Sequence, residues 1–140
     1  IEIKKPVVFI YLENTARQAK KFGLEEKLKE ANHITLVDNL AYFDFLKAFS
    51  KANAVFTDGG GETEEAATVD KPCVVFRLKT ERQEAEESGA AIRVGADKQQ
   101  ALHYLNLALS GKFKFKRGQK PFGNGTASKQ IVTAVKQILG

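Results

Sequence analysis

The sequence predicts an α/β fold in which a parallel sheet is covered by helices on both faces. Short apolar runs alternate with segments of helical composition along all 140 residues, the order expected when helices join parallel strands. The apolar runs are nearly continuous, as in strands that are covered on both sides. A chain of this length normally forms one domain, so we predict a single domain over residues 1–140.

Five runs rich in β-branched and aromatic residues have the length of buried strands. They are "PVVFIYL" at 6–12, "HITLV" at 33–37, "NAVFTD" at 53–58, "PCVVFR" at 72–77 and "AAIRVG" at 90–95. In such a sheet, ligands bind beyond the carboxyl ends of the strands. Residues 11–14, 58–61 and 77–82 are therefore expected along one rim of the sheet.

The segments between these runs are predicted helices, at 14–31, 41–52, 62–69, 83–88, 98–109 and 128–139. Asn14 or Thr15 is the expected cap of the first helix, and Gly23 interrupts it. Ser128 is the expected cap of the last helix, which carries Ile131, Val135 and Ile138 on one face.

Composition limits the class of protein. Hydrophobic residues make up 43% and charged residues 28%, as in ordinary globular proteins. A single cysteine favours a reducing, cytoplasmic setting. No apolar stretch approaches the ~20 residues of a membrane span, and no leader is visible, so we expect no membrane association. The chain contains no methionine, which suggests a processed piece of a longer chain.

The net charge of +5 raises the question of nucleic-acid binding. The densest basic segment, residues 112–120, interleaves lysines with Phe113 and Phe115, and such a pattern can neutralise phosphates while the rings stack on bases. The alternative is a surface strand or loop that turns both rings inward and points the lysines at water. Both rings fall on one side of an extended segment, so we favour the second interpretation and expect no nucleic acid.

The stretch "TDGGGETEE" at 57–65 carries the main candidate site. Gly59, Gly60 and Gly61, here called the glycine turn, lie between a predicted strand and a predicted helix. A helix N-terminus exposes unpaired N–H groups and a partial positive charge, so it can bind an anion such as a diphosphate. Glycine lets the backbone approach the ligand closely. One turn further along, Glu65 could accept hydrogen bonds from a ribose diol.

Two arginines strengthen this prediction. Arg77 and Arg82 follow the next strand on the same rim, where guanidinium groups could bind phosphate bidentately. A glycine turn without any ligand stays open as an alternative.

Other reactive residues have structural interpretations that we favour. Cys73 lies in an apolar run far from any histidine in sequence, as a buried thiol would. His33 and His103 lack metal-ligand spacing, so no metal is expected. Asp58 at a strand end is expected to accept hydrogen bonds from the turn rather than act as a base. No residue is assigned a catalytic role.

Taken in order, these motifs resemble the C-terminal half of the non-hydrolysing UDP-N-acetylglucosamine 2-epimerases. The corresponding segments are 58–61, 63–65, 70–72, 80–84 and 120–128. The resemblance implies a Rossmann-like domain that forms one half of a GT-B architecture, with the nucleotide sugar held between two domains. It also implies that the family's acid and base carboxylates belong to an N-terminal half that this chain lacks.

The resemblance implies roles for individual residues. The glycine turn would bind the diphosphate of UDP, Glu65 the ribose, Phe45 the uracil, and Arg82 would help to fix the ligand. Tyr11 aligns with a family histidine. The expected ligand is UDP or a UDP-N-acetylhexosamine, with no cofactor. Further partners would be the missing N-terminal domain and, since family members are commonly dimers, a second copy of the chain.

The family reaction interconverts UDP-N-acetylglucosamine and UDP-N-acetylmannosamine by eliminating UDP and adding it back. This chain departs from the family at Gly59 (serine), Thr63 (glutamine), Gln83 (proline) and Tyr11. Gly59 and Tyr11 keep open the alternative of a degenerate relative that has lost the ligand. Half of a UDP-sugar glycosyltransferase with the same architecture is a further alternative.

Overall fold

The structure is a computed structural model that describes residues 4–139. It forms two compact units, one up to Lys47 and one from Ala48 onward. The predicted domain, 1–140, also includes residues 1–3 and 140, which lie outside the described part.

The first unit is built on two parallel strands. β1 (Val7–Ile10) pairs with β2 (Ile34–Val37), with Val7 opposite Ile34 and Ile10 opposite Val37. Between them lie α1 (Glu13–Lys21) and α2 (Glu25–Lys29). Gly23 separates the two helices with a φ of +65°, which confirms the predicted interruption. Helix α3 (Tyr42–Lys51) follows and contains the boundary between the units.

The second unit is built on three parallel strands in the order β3-β4-β5. They are β3 (Val55–Thr57), β4 (Cys73–Val75) and β5 (Ala91–Arg93). The helices are α4 (Gly60–Thr68), α5 (Gln83–Glu87), α6 (Lys98–Leu109) and α7 (Ala127–Leu139). The strands formed by residues 4–139 thus fall into two parallel sheets.

Helices cover both faces of the three-stranded sheet. Cys73 and Val75 of β4 belong to one buried cluster with alanines of α4 and α5. Val74, which points to the opposite face because side chains alternate along a strand, is buried with Ala101 of α6. Small residues on α4 let its backbone lie close to the sheet, and Ala66 is completely buried. This arrangement confirms the predicted α/β fold class.

Two helix starts differ from the prediction. Helix α1 begins at Glu13, before both expected caps, and the side chain of Asn14 binds Arg17 instead of the helix end. Helix α7 begins at Ala127, so Ser128 lies inside its first turn. Residue Thr126 precedes this helix, and its N–H donates to Asn124 Oδ1 at 3.2 Å.

The basic segment at 112–120 forms a loop without regular structure. Phe113 and Phe115 are half-buried in it, and Tyr104, Phe113 and Phe115 form successive edge-to-face ring contacts at 6.3 and 6.1 Å. Phe115 also packs against the α4/α5 cluster. Both rings therefore make packing contacts within the chain, as the interpretation that we favoured requires.

In the described part of the chain, no helix has both the length and the apolar composition that crossing a membrane would require.

Candidate functional site

The glycine turn forms the N-terminus of α4. Gly59 is the N-cap, with a φ of −93° and a ψ of 144°, and no side chain caps the helix. Its N–H donates to Thr57 Oγ1 at 2.9 Å, and its carbonyl accepts from Thr63 Oγ1 at 2.7 Å. These two threonines fix the turn, while Gly60 and Gly61 supply first-turn N–H groups that have no partner inside a helix.

The reason for glycine at this turn differs from the general expectation. The positive φ values among residues 4–139 occur at Asp70 and at other glycines, so Gly59, Gly60 and Gly61 need no left-handed backbone. A side chain at two of these positions would instead meet a carboxylate. A Cβ on Gly59 would overlap the Glu62 carboxylate, and a Cβ on Gly60 would lie 2.9 Å from Glu81 Oε1.

The acceptor within the turn is also different from the one expected. Thr57, not Asp58, accepts the hydrogen bond from the turn. The carboxylate of Asp58 is exposed and makes no hydrogen bond with the described residues.

Arg82 lies beside the glycine turn, and both predicted arginines are paired with glutamates. Arg77 Nη1 donates to both carboxylate oxygens of Glu81, at 3.0 and 2.9 Å. Arg82 forms an ion pair with Glu64, and a Cβ on Gly60 would lie 3.8 Å from Arg82 Cγ and Nε. The Glu81 backbone N–H and the Arg77 guanidinium hold the pKa of the Glu81 carboxyl below its ordinary value of 4.5.

Glu65 lies one turn further along α4. Its side chain is half-buried, and its Oε2 atom is buried without a hydrogen-bond partner among the described residues. A buried acceptor without a donor is costly. The carboxylate therefore has unused capacity to accept a hydrogen bond at the position where the sequence predicted a ribose.

Tyr11 and Phe45, the two remaining site candidates, belong to the first unit. Tyr11 follows β1, its N–H donates to Val37 O at 2.7 Å, and its half-buried ring contacts Phe9 edge-to-face at 5.8 Å. The Tyr11 hydroxyl is buried without a partner in residues 4–139. Phe45 is half-buried on α3. A depression of about 420 Å³ lies beyond the ends of β1 and β2, lined by Leu12, Glu13, Asn14, Asp38 and Asn39.

Cys73 and His103 lie where their structural interpretations require. Cys73 is completely buried, and burial raises the pKa of its thiol to about 12, against a smaller opposite effect of Thr63. His103 is exposed and contacts the ring of Tyr104 at 5.1 Å. Among residues 4–139, no group of His, Cys, Asp and Glu is arranged to hold a metal ion.

Three residues of the site were not singled out from the sequence. Glu62, Glu64 and Glu81 lie over the turn or pair with its arginines. The sequence signal was present, because each glutamate is within a few positions of the glycine turn or of an arginine. Which carboxylate meets which cation depends on the loop between β4 and α5, and the composition of the stretch does not specify that.

Comparison with known proteins identifies the family. A profile described as UDP-N-acetylglucosamine 2-epimerase matches residues 2–136. The chain belongs to the UDP-N-acetylglucosamine 2-epimerase family. The epimerase of Methanocaldococcus jannaschii is 35% identical over 128 residues, covering 91% of this chain and 34% of the relative. The Escherichia coli K12 epimerase is 33% identical over 112 residues, covering 78% and 30%.

Solved structures of the family agree with this assignment. The crystal structure of the M. jannaschii epimerase in complex with UDP-GlcNAc and UDP matches with a TM-score of 0.83 and 34% identity, over 95% of this chain and 36% of that one. The family resemblance and the Rossmann-like α/β fold, one half of a GT-B architecture, are thereby confirmed. The chain spans about a third of the length of the curated epimerases it matches.

Proposed function

We propose that this chain is the UDP-binding part of a UDP-N-acetylglucosamine 2-epimerase. The observation that carries the proposal is the N-terminus of α4, where Gly60 and Gly61 supply first-turn N–H groups and Arg82 lies beside Gly60. Such an end favours an anion through its amides and its dipole. The diphosphate of UDP would bind there, with Arg77 and Arg82 as cationic partners.

The uridine would be held by residues beyond the turn. Glu65 Oε2 has no donor within residues 4–139, and a ribose hydroxyl would supply one. Phe45 is the proposed contact of the uracil and Tyr11 a further ligand contact. Both rest on the family resemblance, and both residues lie at or after the carboxyl ends of the first unit's strands.

In the parent enzyme the reaction would interconvert UDP-N-acetylglucosamine and UDP-N-acetylmannosamine. Since the catalytic carboxylates of the family are expected in another domain, this chain alone would bind UDP and catalyse nothing. The apolar side chains Ile131, Val135 and Ile138 are exposed on α7, which supports packing of this helix against that other domain. A homodimer stays a prediction for sedimentation analysis of the full-length enzyme.

Calorimetric titration of the 140-residue chain with UDP, uridine and inorganic pyrophosphate tests the proposal. We expect UDP to bind more tightly than either fragment, because the glycine turn and Glu65 would each contact a different part of it. No heat or amide shift at millimolar UDP would contradict the proposal. Epimerisation by the isolated chain would contradict the assignment of catalysis to the other domain.

A degenerate relative without ligand binding is the second candidate. It is favoured by one observation, the Glu62 carboxylate that fills the space where the family has a serine side chain at position 59. The two candidates differ in the titration, because a degenerate relative gives no response to UDP even when that carboxylate is neutralised.

A further inference from the structure

Two carboxylates of the chain lie over the glycine turn. A Cβ on Gly59 would lie 2.6 Å from Cδ and 3.2 Å from Oε1 of Glu62, so the Glu62 carboxylate occupies the space of a residue-59 side chain. Glu81 approaches Gly60 from the loop after β4. Both are within reach of the positive end of α4, which is also the proposed position of the diphosphate.

The two carboxylates are held in different ways. Glu81 is fixed by two hydrogen bonds from Arg77. Glu62 makes no hydrogen bond or ion pair with the described residues, and it sits in the first turn of α4, where the helix dipole favours a negative charge. The same partial positive charge would attract a phosphate, so Glu62 and a ligand phosphate would compete for the N-terminus of α4.

We propose that Glu62 determines the affinity of this site by acting as an internal anion that the diphosphate must displace. The inference rests on the proposed function. It also links two features of the sequence, because a side chain at residue 59 cannot coexist with the Glu62 carboxylate in its present position. A side chain at residue 59 would require that carboxylate to move.

Two substitutions that act by different means should have the same effect. Glu62→Gln removes the charge and keeps the shape of the side chain. Gly59→Ala fills the space and pushes the carboxylate away, at no backbone cost, because the φ of Gly59 is −93° and alanine adopts that value freely. Since both changes remove one interaction, the double variant should gain little over either single one.

The control is Glu87→Gln, which changes the net charge equally at an exposed position at the end of α5. Titrations with UDP and with inorganic pyrophosphate, at one ionic strength, should give Glu62→Gln and Gly59→Ala about tenfold tighter binding than wild type, equal to ~1.4 kcal/mol. Glu87→Gln should stay within about twofold of wild type, as expected for a screened surface charge. Without ligand, Glu62→Gln should shift the amide resonances of Gly60 and Gly61, and the control should not.

The outcomes separate this inference from the function on which it rests. If wild type binds UDP and Glu62→Gln binds no more tightly than Glu87→Gln, Glu62 is not a competitor and the proposed function stands. If neither wild type nor any variant binds UDP or pyrophosphate, the proposed function and the proposed role of Glu62 are both wrong. Weaker binding by a folded Gly59→Ala variant also overturns the inference, and thermal melts establish folding. Tighter binding by both Glu62→Gln and Gly59→Ala, with Glu87→Gln unchanged, supports the inference.

Discussion

The thiol of Cys73 allows a prediction whose size follows from the structure. The side chain is completely buried on β4, and burial raises the pKa of the thiol from an ordinary 9.0 to about 12. The unfolded chain loses this proton at lower pH than the native chain. The free energy of unfolding is therefore unaffected by this thiol below pH 9. It decreases by about 1.4 kcal/mol per pH unit as the pH rises from 9 towards 12.

Urea unfolding of wild type and of Cys73→Ala, at pH 8 and pH 10 with a phosphine reductant, measures this loss. Lysine and tyrosine titrations are common to both proteins, so the difference between them isolates the thiol. We expect wild type to lose about 1.4 kcal/mol more than Cys73→Ala between the two pH values. At pH 8 the native thiol should also react with a disulfide reagent about a thousandfold more slowly than the unfolded chain, since only the thiolate attacks. Equal pH dependence, or rapid native labelling, would refute the burial argument.

Three further predictions concern the site and the core. Arg82→Ala should weaken UDP binding in an amide-shift titration, because it leaves the Glu64 carboxylate without its cation beside the proposed phosphate position. Arg82→Lys should recover only part of the affinity, since lysine lacks the planar guanidinium. Unchanged affinity in the alanine variant would contradict this. Glu65→Ala should weaken UDP binding and leave pyrophosphate binding unchanged, whereas equal losses would exclude a ribose contact. Val74→Ala, at a fully buried position, should lower the free energy of unfolding by about 2 kcal/mol. Its control, Val132→Ala on α7, should change that free energy by less than about 0.5 kcal/mol. Similar losses in both variants, measured by urea unfolding, would contradict the assigned burial.

The fold was predictable because its signals are local and repeated. Helix α6 has the predicted bounds, and the structure explains its sharp start, since Asp97 Oδ1 accepts from the Gln100 N–H at 3.0 Å. The start of α1 was not predictable in the same way. Asn14 has the chemistry of a cap, but Arg17 lies one turn away and takes its side-chain oxygen. The preference of an asparagine side chain for capping a helix is overridden here because the Arg17 guanidinium binds the same oxygen.

The sequence predicted which residues lie near the glycine turn better than it predicted which glutamate pairs with which arginine. The sequence places the glycine turn and both arginines on one rim, and the structure brings Arg82 beside Gly60. The sequence does not show that Glu64 and Glu81 already neutralise these arginines. The pairing of these arginines with glutamates depends on the path of residues 76–82 after β4. Arg77 and Glu81 are four positions apart and meet there outside any helix, where no sequence periodicity predicts a contact.

This pairing sets the charge that a diphosphate would encounter. The Arg82 guanidinium beside the turn is balanced by Glu64, and Glu81, which approaches Gly60, is paired with Arg77. Glu62 adds one negative charge without an ion pair among the described residues. The described part of the site therefore offers an anion mainly the amides and dipole of α4, which contribute about 0.3–1 kcal/mol at an exposed helix end. That is too little to offset both the repulsion from Glu62 and the loss of ligand freedom on binding. Millimolar rather than micromolar affinity is the expected consequence for the isolated chain, and tight binding would require cations from outside these residues.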